Sequence, residues 1–138
     1  MEKNQQELMF KLSMFEQQIQ QLQQQIQAVE QGIVEMNTLS IGLDELKGSE
    51  GKEIMAPIGR GIFAKTKLVS EELTVDVGGG NFVKKSIPNT KKIIDEQVNK
   101  LKDVKKTLND NLEKISRELV NVMEEGKEVM GKSEKGKK

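Results

Sequence analysis

Apolar residues recur along the first third of the chain at alternating steps of four and three. Leu8, Leu12, Phe15, Ile19, Leu22, Ile26, Val29, Ile33, Met36 and Leu43 keep this beat, and only Ser40 breaks it. A mean spacing of 3.5 residues keeps one stripe of side chains on one side of a helix and predicts a coiled-coil seam. The spacing predicts a helix over residues 1–47. At about 1.5 Å per residue its seam would extend ~54 Å.

The same beat returns in the last third. Ile94, Val98, Leu101, Leu108, Leu112, Ile115, Leu119, Val122 and Val129 follow it, with Lys105 and Gly126 as polar or small breaks. A second helix is expected over 88–132, opened by Pro88, Asn89 and Thr90. The tail over 133–138 is basic and should fray. Two seams of equal length can zip antiparallel within one chain. Setting Leu43 opposite Ile94 puts Val29 opposite Leu108, Leu22 opposite Ile115 and Leu8 opposite Val129. It also puts Ile33 opposite Lys105 and Leu12 opposite Gly126. A slip of seven residues would leave one end unpaired. The alternative is two helices that each pair with other chains, since a seam does not name its partner.

The pattern between the helices changes to short apolar or alternating runs divided by turn residues. Strands are expected over 53–58, 62–69, 73–77 and 82–87, with turns at Gly59-Arg60-Gly61 and Gly78-Gly79-Gly80-Asn81. That makes two hairpins. Pro57 has no N–H to donate, so its strand should be an edge or irregular. Leu73, Val75 and Val77 share one face and are the side expected to be covered. Four short strands cannot bury their own faces, so they call for partner strands. Ile54, Ile58, Ile62, Phe63, Leu68, Leu73, Val75, Val77, Phe82 and Val83 are the candidate oligomerisation residues.

A second group of apolar residues lies off the seam. Met9, Phe10 and Met14 sit near the start, and Val120, Met123 and Met130 near the end. An antiparallel hairpin would bring them together at the tip distal to the strands. Unbranched thioethers make adaptable contacts, so such a patch suits varied partners. The alternative is extra packing at the arm end or contact with a sister arm. Mid-arm off-seam residues such as Val34 and Val104 are sparser.

Composition narrows the chemistry. The 138 residues suit one domain, yet only 35% are hydrophobic, and the four Phe are the only aromatics. With no Cys and no His, the chain alone cannot form a thiol nucleophile, a Ser-His-Asp triad or a Cys/His zinc site. No acid–base or metal constellation stands out, so neither an enzyme nor a cofactor is expected. The glycine groups lead into strands rather than a helix, which reads as tight turns and not as a phosphate loop. The glutamine run from Gln17 to Gln27 keeps the heptad beat and reads as an uncharged solvated face.

Formal charge balances at 22 basic and 22 acidic residues, against a nucleic-acid footprint. Residues 1–47 carry 3 basic and 7 acidic groups, and residues 88–138 carry 13 and 10, so the helices should attract weakly. No apolar run is long enough for a membrane span, and the start MEKNQQELMF is unlike a signal peptide. A soluble cytoplasmic protein without membrane contact is expected.

A long helix, two hairpins and a second helix of equal length resemble the prefoldin family. Ile54-Met55-Ala56-Pro57-Ile58-Gly59-Arg60-Gly61 is similar to its element entering the second strand. Val75-Asp76-Val77-Gly78-Gly79-Gly80-Asn81-Phe82-Val83-Lys84-Lys85 is similar to its Val-Gly-x-Gly element before an apolar residue and Lys. Two hairpins, rather than one, point to the alpha class. The resemblance implies a single α+β, mostly α, domain over 1–138, whose strands join those of other subunits in a β-barrel. It also implies an ATP-independent holdase built of two alpha and four beta-class subunits. Its coiled-coil tips would hold non-native proteins and deliver them to a group II chaperonin. A structural adaptor or filament-forming protein on the same fold is the competing reading.

Overall fold

A computed structural model describes residues 2–136, with side chains for residues 3–127. Two long helices flank four short strands. They are α1 (Glu2–Leu46), β1 (Glu53–Gly59), β2 (Ile62–Lys67), β3 (Leu73–Asp76), β4 (Phe82–Lys85) and α2 (Ile87–Gly136). The fold is α+β and mostly helical, as the spacing of apolar residues predicts. Val129 and Met130 have side chains outside the described set, and Lys137 and Lys138 lie outside it altogether. The expected frayed tail begins inside α2, which includes Ser133–Gly136.

The chain divides into two compact units, one of Met1–Gln31 with Lys102–Lys138, the other of Gly32–Leu101. In the first, the helical segments run antiparallel. A Cβ placed on Gly126 would lie 2.7 Å from Leu8 Cδ2, and Lys105 Nζ is 3.2 Å from Glu30 Oε1. Leu22 and Ile115 border one surface groove, and Ile26 and Leu112 another. In the second unit, Leu43, Ile87, Ile94 and Val98 form the buried core, with Ile33, Met36, Leu46 and Leu73 packed on it. Every seam position from Leu8 to Leu43 and from Ile94 to Gly126 is buried or half-buried.

The register differs from the sequence expectation. Leu8 sits over Gly126, not level with Val129, and Glu30 reaches Lys105, which places Val29 rather than Ile33 beside that lysine. A Cβ on Gly32 would lie 3.5 Å from Leu101, so Leu101 is level with Ile33 and not Met36. Two heptads read in opposite directions explain this shift. With Leu8 on Gly126, each step of four faces a step of four and each three faces a three. The expected register paired fours with threes and so drifted by one residue at alternate layers. Matched steps let every knob find its hole.

The start of α2 also differs. The expected strand over 82–87 ends at Lys85, because Ser86 caps the helix. Its Oγ accepts from Asn89 N–H at 3.2 Å, while Thr90 N–H and Thr90 Oγ1 both donate to Ser86 O. Ile87 therefore enters the helix, one heptad before Ile94, and is 2% exposed.

The hairpins follow from their turns. β1 and β2 pair antiparallel from Glu53↔Lys67 to Gly59↔Ile62, with a bulge between Pro57 and Gly59. Pro57 thus sits in an irregular strand of a two-stranded sheet, where its missing N–H costs little. Arg60 (φ 49°) and Gly61 (φ 79°) form the two-residue loop, both left-handed as a type I′ turn requires. The strand expected over 62–69 stops at Lys67, although Leu68 still exchanges backbone bonds with Gly51 and Lys52. β3 and β4 pair from Leu73↔Lys85 to Asp76↔Phe82. Their loop is closed by Val77 N–H to Asn81 O at 2.9 Å and Gly78 N–H to Asp76 Oδ1 at 2.9 Å.

Candidate functional site

Exposed apolar side chains, rather than a cleft, are the features that call for a partner. In the unit of Met1–Gln31 and Lys102–Lys138 five of them gather close to the Leu8–Gly126 contact, while Val104, 47% exposed, lies apart from it on α2. Met9 is 70% exposed, Phe10 66%, Met14 45%, Val120 52% and Met123 53%. Each lies on a helix held by its neighbour in the seam: Leu8 precedes Met9, Phe15 follows Met14, and Val122 precedes Met123. Helical phase therefore fixes where they lie. Met9 and Met123 each follow a seam residue whose next seam neighbour is four residues on, so in an antiparallel pair they flank the same side of the seam. Val120 lies on that side too, Phe10 on the outer face and Met14 on the opposite flank. The residues form a collar around the two helices rather than a single patch. Met130, the sixth candidate, has its side chain outside the described residues.

Along the same unit the glutamines from Gln17 to Gln27 are all exposed, and Gln18, Gln21 and Gln25 line the groove beside Leu22 and Ile115 with Asn111. Their amides present no charge, and the apolar seam continues beneath them.

The second exposed set lies on the hairpins. Ile58, Ile62, Phe63, Val77, Phe82 and Val83 are exposed, whereas Ile54, Leu68, Leu73 and Val75 are half-buried. The strand pairing separates the two faces of β3–β4. Val75 pairs with Val83, while Asp76 pairs with Phe82, so Phe82 shares the Thr74–Asp76 face. Leu73 packs on the chain's own helical core. The Leu73-Val75 face is thus covered in part from within the chain, and the largest exposed side chain belongs to the other face. In the first hairpin Ala56 pairs with Ala64 on the half-buried face, and Pro57 pairs with exposed Phe63 on the other. Sequence reasoning missed exposed Leu39, Ile41, Met55 and Val69. Met55 is legible afterwards as the residue alternating with Ile54 and Ala56.

The polar groups are structural. Lys91 of α2 pairs with Asp44 of α1, and the Glu71 carboxylate accepts from Gly48 N–H just beyond α1. Glu53–Lys65 and Glu72–Lys84 are exposed cross-strand or loop-to-strand pairs, which add little stability. Among the described residues no group of three or more acidic side chains is placed to hold a metal ion. No described helix is long and apolar enough to cross a membrane.

Comparison with known proteins agrees with this architecture. The family model described as prefoldin subunit matches residues 15–132. The chain is 34% identical over 110 residues to the prefoldin subunit alpha of Methanobrevibacter smithii, covering 79% of this chain and 70% of that one. It is 30% identical over 88 residues to the prefoldin subunit alpha of Methanosphaera stadtmanae, covering 64% of each. The cryo-EM structure of a filamentous PFD from Methanocaldococcus jannaschii superposes with a TM-score of 0.75 at 20% identity, covering 83% of this chain and 97% of that one. That structure supports the fold; the family and class rest on the sequence matches. The chain therefore belongs to the prefoldin family, as an alpha-class subunit.

Proposed function

We propose that this chain is a subunit of an ATP-independent holdase that keeps non-native proteins from aggregating. Membership of a chaperone family supports a chaperone-type role and assembly with other prefoldin subunits. The finer reading rests on one observation: five large apolar side chains close to the Leu8–Gly126 contact stay exposed at positions that the seam does not use. Exposed apolar surface of this kind marks an interaction site. A non-native chain offers no fixed shape, and the flexible thioethers of Met9, Met14 and Met123 can adapt to it. Each contact is weak, so several arms acting together supply the affinity through effective concentration.

The exposed hairpin faces, with Phe63 and Phe82 as their largest side chains, fit strand-to-strand assembly with beta-class subunits in a hexamer of two alpha and four beta chains. Closing a barrel would remove the free strand edges. Delivery of the held chain to a group II chaperonin completes the reading. Purified assembled protein should suppress aggregation of a denatured test protein without ATP and release it in folding-competent form when a group II chaperonin and ATP are added. Failure of suppression at several-fold excess overturns the holdase reading. A structural filament-forming role is the second reading, prompted by the filamentous PFD with the same fold. It predicts long polymers and no protection of the test protein.

A further inference from the structure

Sulfur is distributed unevenly in this chain. There is no cysteine, so seven methionines carry all of it. The seam of α1 uses Met once, at Met36, which is half-buried against the Leu43 core. The off-seam collar uses it at Met9, Met14 and Met123, all solvent-exposed; the further exposed one among the described residues, Met55, lies on β1 and is not part of the collar. Leucine would supply a similar apolar area, but only the thioether can be oxidised.

We propose that Met9, Met14 and Met123 form an oxidation-sensitive modification site at which a two-electron oxidant of the hydrogen peroxide class switches off the holding of non-native chains. This rests on the holdase reading above. A sulfur lone pair attacks one peroxide oxygen and forms the S–O bond as the O–O bond breaks. The departing hydroxide takes up a proton and leaves as water, so sulfur is oxidised by two electrons and the peroxide is reduced. The product sulfoxide is polar and keeps its water, so it no longer favours contact with an apolar segment. Phe10 and Val120 stay apolar, so binding weakens without vanishing. No collar methionine is a seam knob, so the helix pair stays intact while its contact surface changes. A methionine sulfoxide reductase supplied with a thiol reductant reverses the step.

The assembled protein treated with dilute hydrogen peroxide tests this, with peptide-mapping mass spectrometry, sedimentation and aggregation suppression as readouts. Sulfoxide should accumulate at Met9, Met14 and Met123 several-fold faster than at Met36. The concentration needed for half-suppression should rise about tenfold while sedimentation stays unchanged, and reductase with dithiothreitol should reverse the rise. The M9L/M14L/M123L variant should keep its own untreated level of suppression after peroxide. Equal oxidation of Met36 overturns the proposal, as does loss of suppression through dissociation of the oligomer. Full collar oxidation with undiminished suppression overturns the switch alone if a serine-substituted collar has lost suppression. If the serine variant also protects, the tip reading falls and the switch with it.

Discussion

Lys105 occupies a seam position of α2, and its ammonium lies 3.2 Å from the Glu30 carboxylate, one residue beyond Val29 on α1. The same arrangement recurs fourteen residues earlier, where Lys91 pairs with Asp44, one residue beyond Leu43. A lysine in a seam costs stability but restricts which register is tolerable. Its side chain is long enough to lay its stem over the apolar stripe and carry the charge to the flank. Both lysines remain about a third exposed, so the ion pairs themselves add at most about 1 kcal/mol each.

Replacing Lys105 with Leu should therefore stabilise the helix pair by about 1–2 kcal/mol, seen as a higher thermal midpoint by circular dichroism. Glu30→Ala in the native background should cost less than about 1 kcal/mol. If K105L lowers the midpoint, the lysine contributes more than a tolerated seam break.

The register can be read directly because the chain has no cysteine of its own. Leu8→Cys combined with Gly126→Cys should form an intramolecular disulfide under mild oxidation, since these positions face each other. Leu8→Cys with Val129→Cys should cross-link more slowly. The reverse order of rates would restore the register with Leu8 opposite Val129.

Ser86→Ala removes the Oγ that accepts from Asn89 N–H. A lost helix cap of this type costs about 1 kcal/mol. Chemical denaturation should show that loss with an unchanged m-value. A Ser86→Asp variant should recover it, because an aspartate can cap the same N–H.

Assembly should depend on the outward faces of the hairpins. Phe63→Lys with Phe82→Lys places charges where a partner strand layer would desolvate them, at a cost of several kcal/mol if the faces are covered. Sedimentation velocity with a beta-class subunit should then show monomers or small species instead of the hexamer, with helicity retained. An undisturbed hexamer would mean that assembly uses another surface.

Much of the architecture was legible in the sequence because a heptad is a long, redundant signal. Ser40, Lys105 and Gly126 each break it, yet flanking residues carry the phase across, and all three positions are buried or half-buried. The hairpins were legible from their turn residues. Shorter-range features were not. The expected register failed because two seams of equal length match almost as well at a shift of three or four residues. Only the matching of fours with fours separates the two. Ser86 and Ile87 read as the end of a strand because FVKKSI alternates, and the cap depends on Ser86 Oγ reaching a residue three positions on. Hydrophobicity singles out the Leu73-Val75-Val77 face, but alternation does not distinguish cover by the chain's own helices from cover by another subunit. Sequence placed the off-seam methionines near the ends of the helices; their distribution around a collar required the antiparallel contact of Leu8 with Gly126.

If the exposed collar holds non-native chains, one multiple variant should abolish holding without disturbing assembly. Met9, Phe10, Met14, Val120 and Met123 are changed to Ser in the assembled protein, and light scattering follows aggregation of a denatured test protein. None of the five is a seam position, so sedimentation and circular dichroism should match wild type. Loss of several apolar contacts on each of several arms should raise the concentration for half-suppression by more than about tenfold. An assembled variant that protects the test protein as well as wild type does would mean that the collar does not hold it and would move the binding surface to the shafts of the helices or to the hairpins.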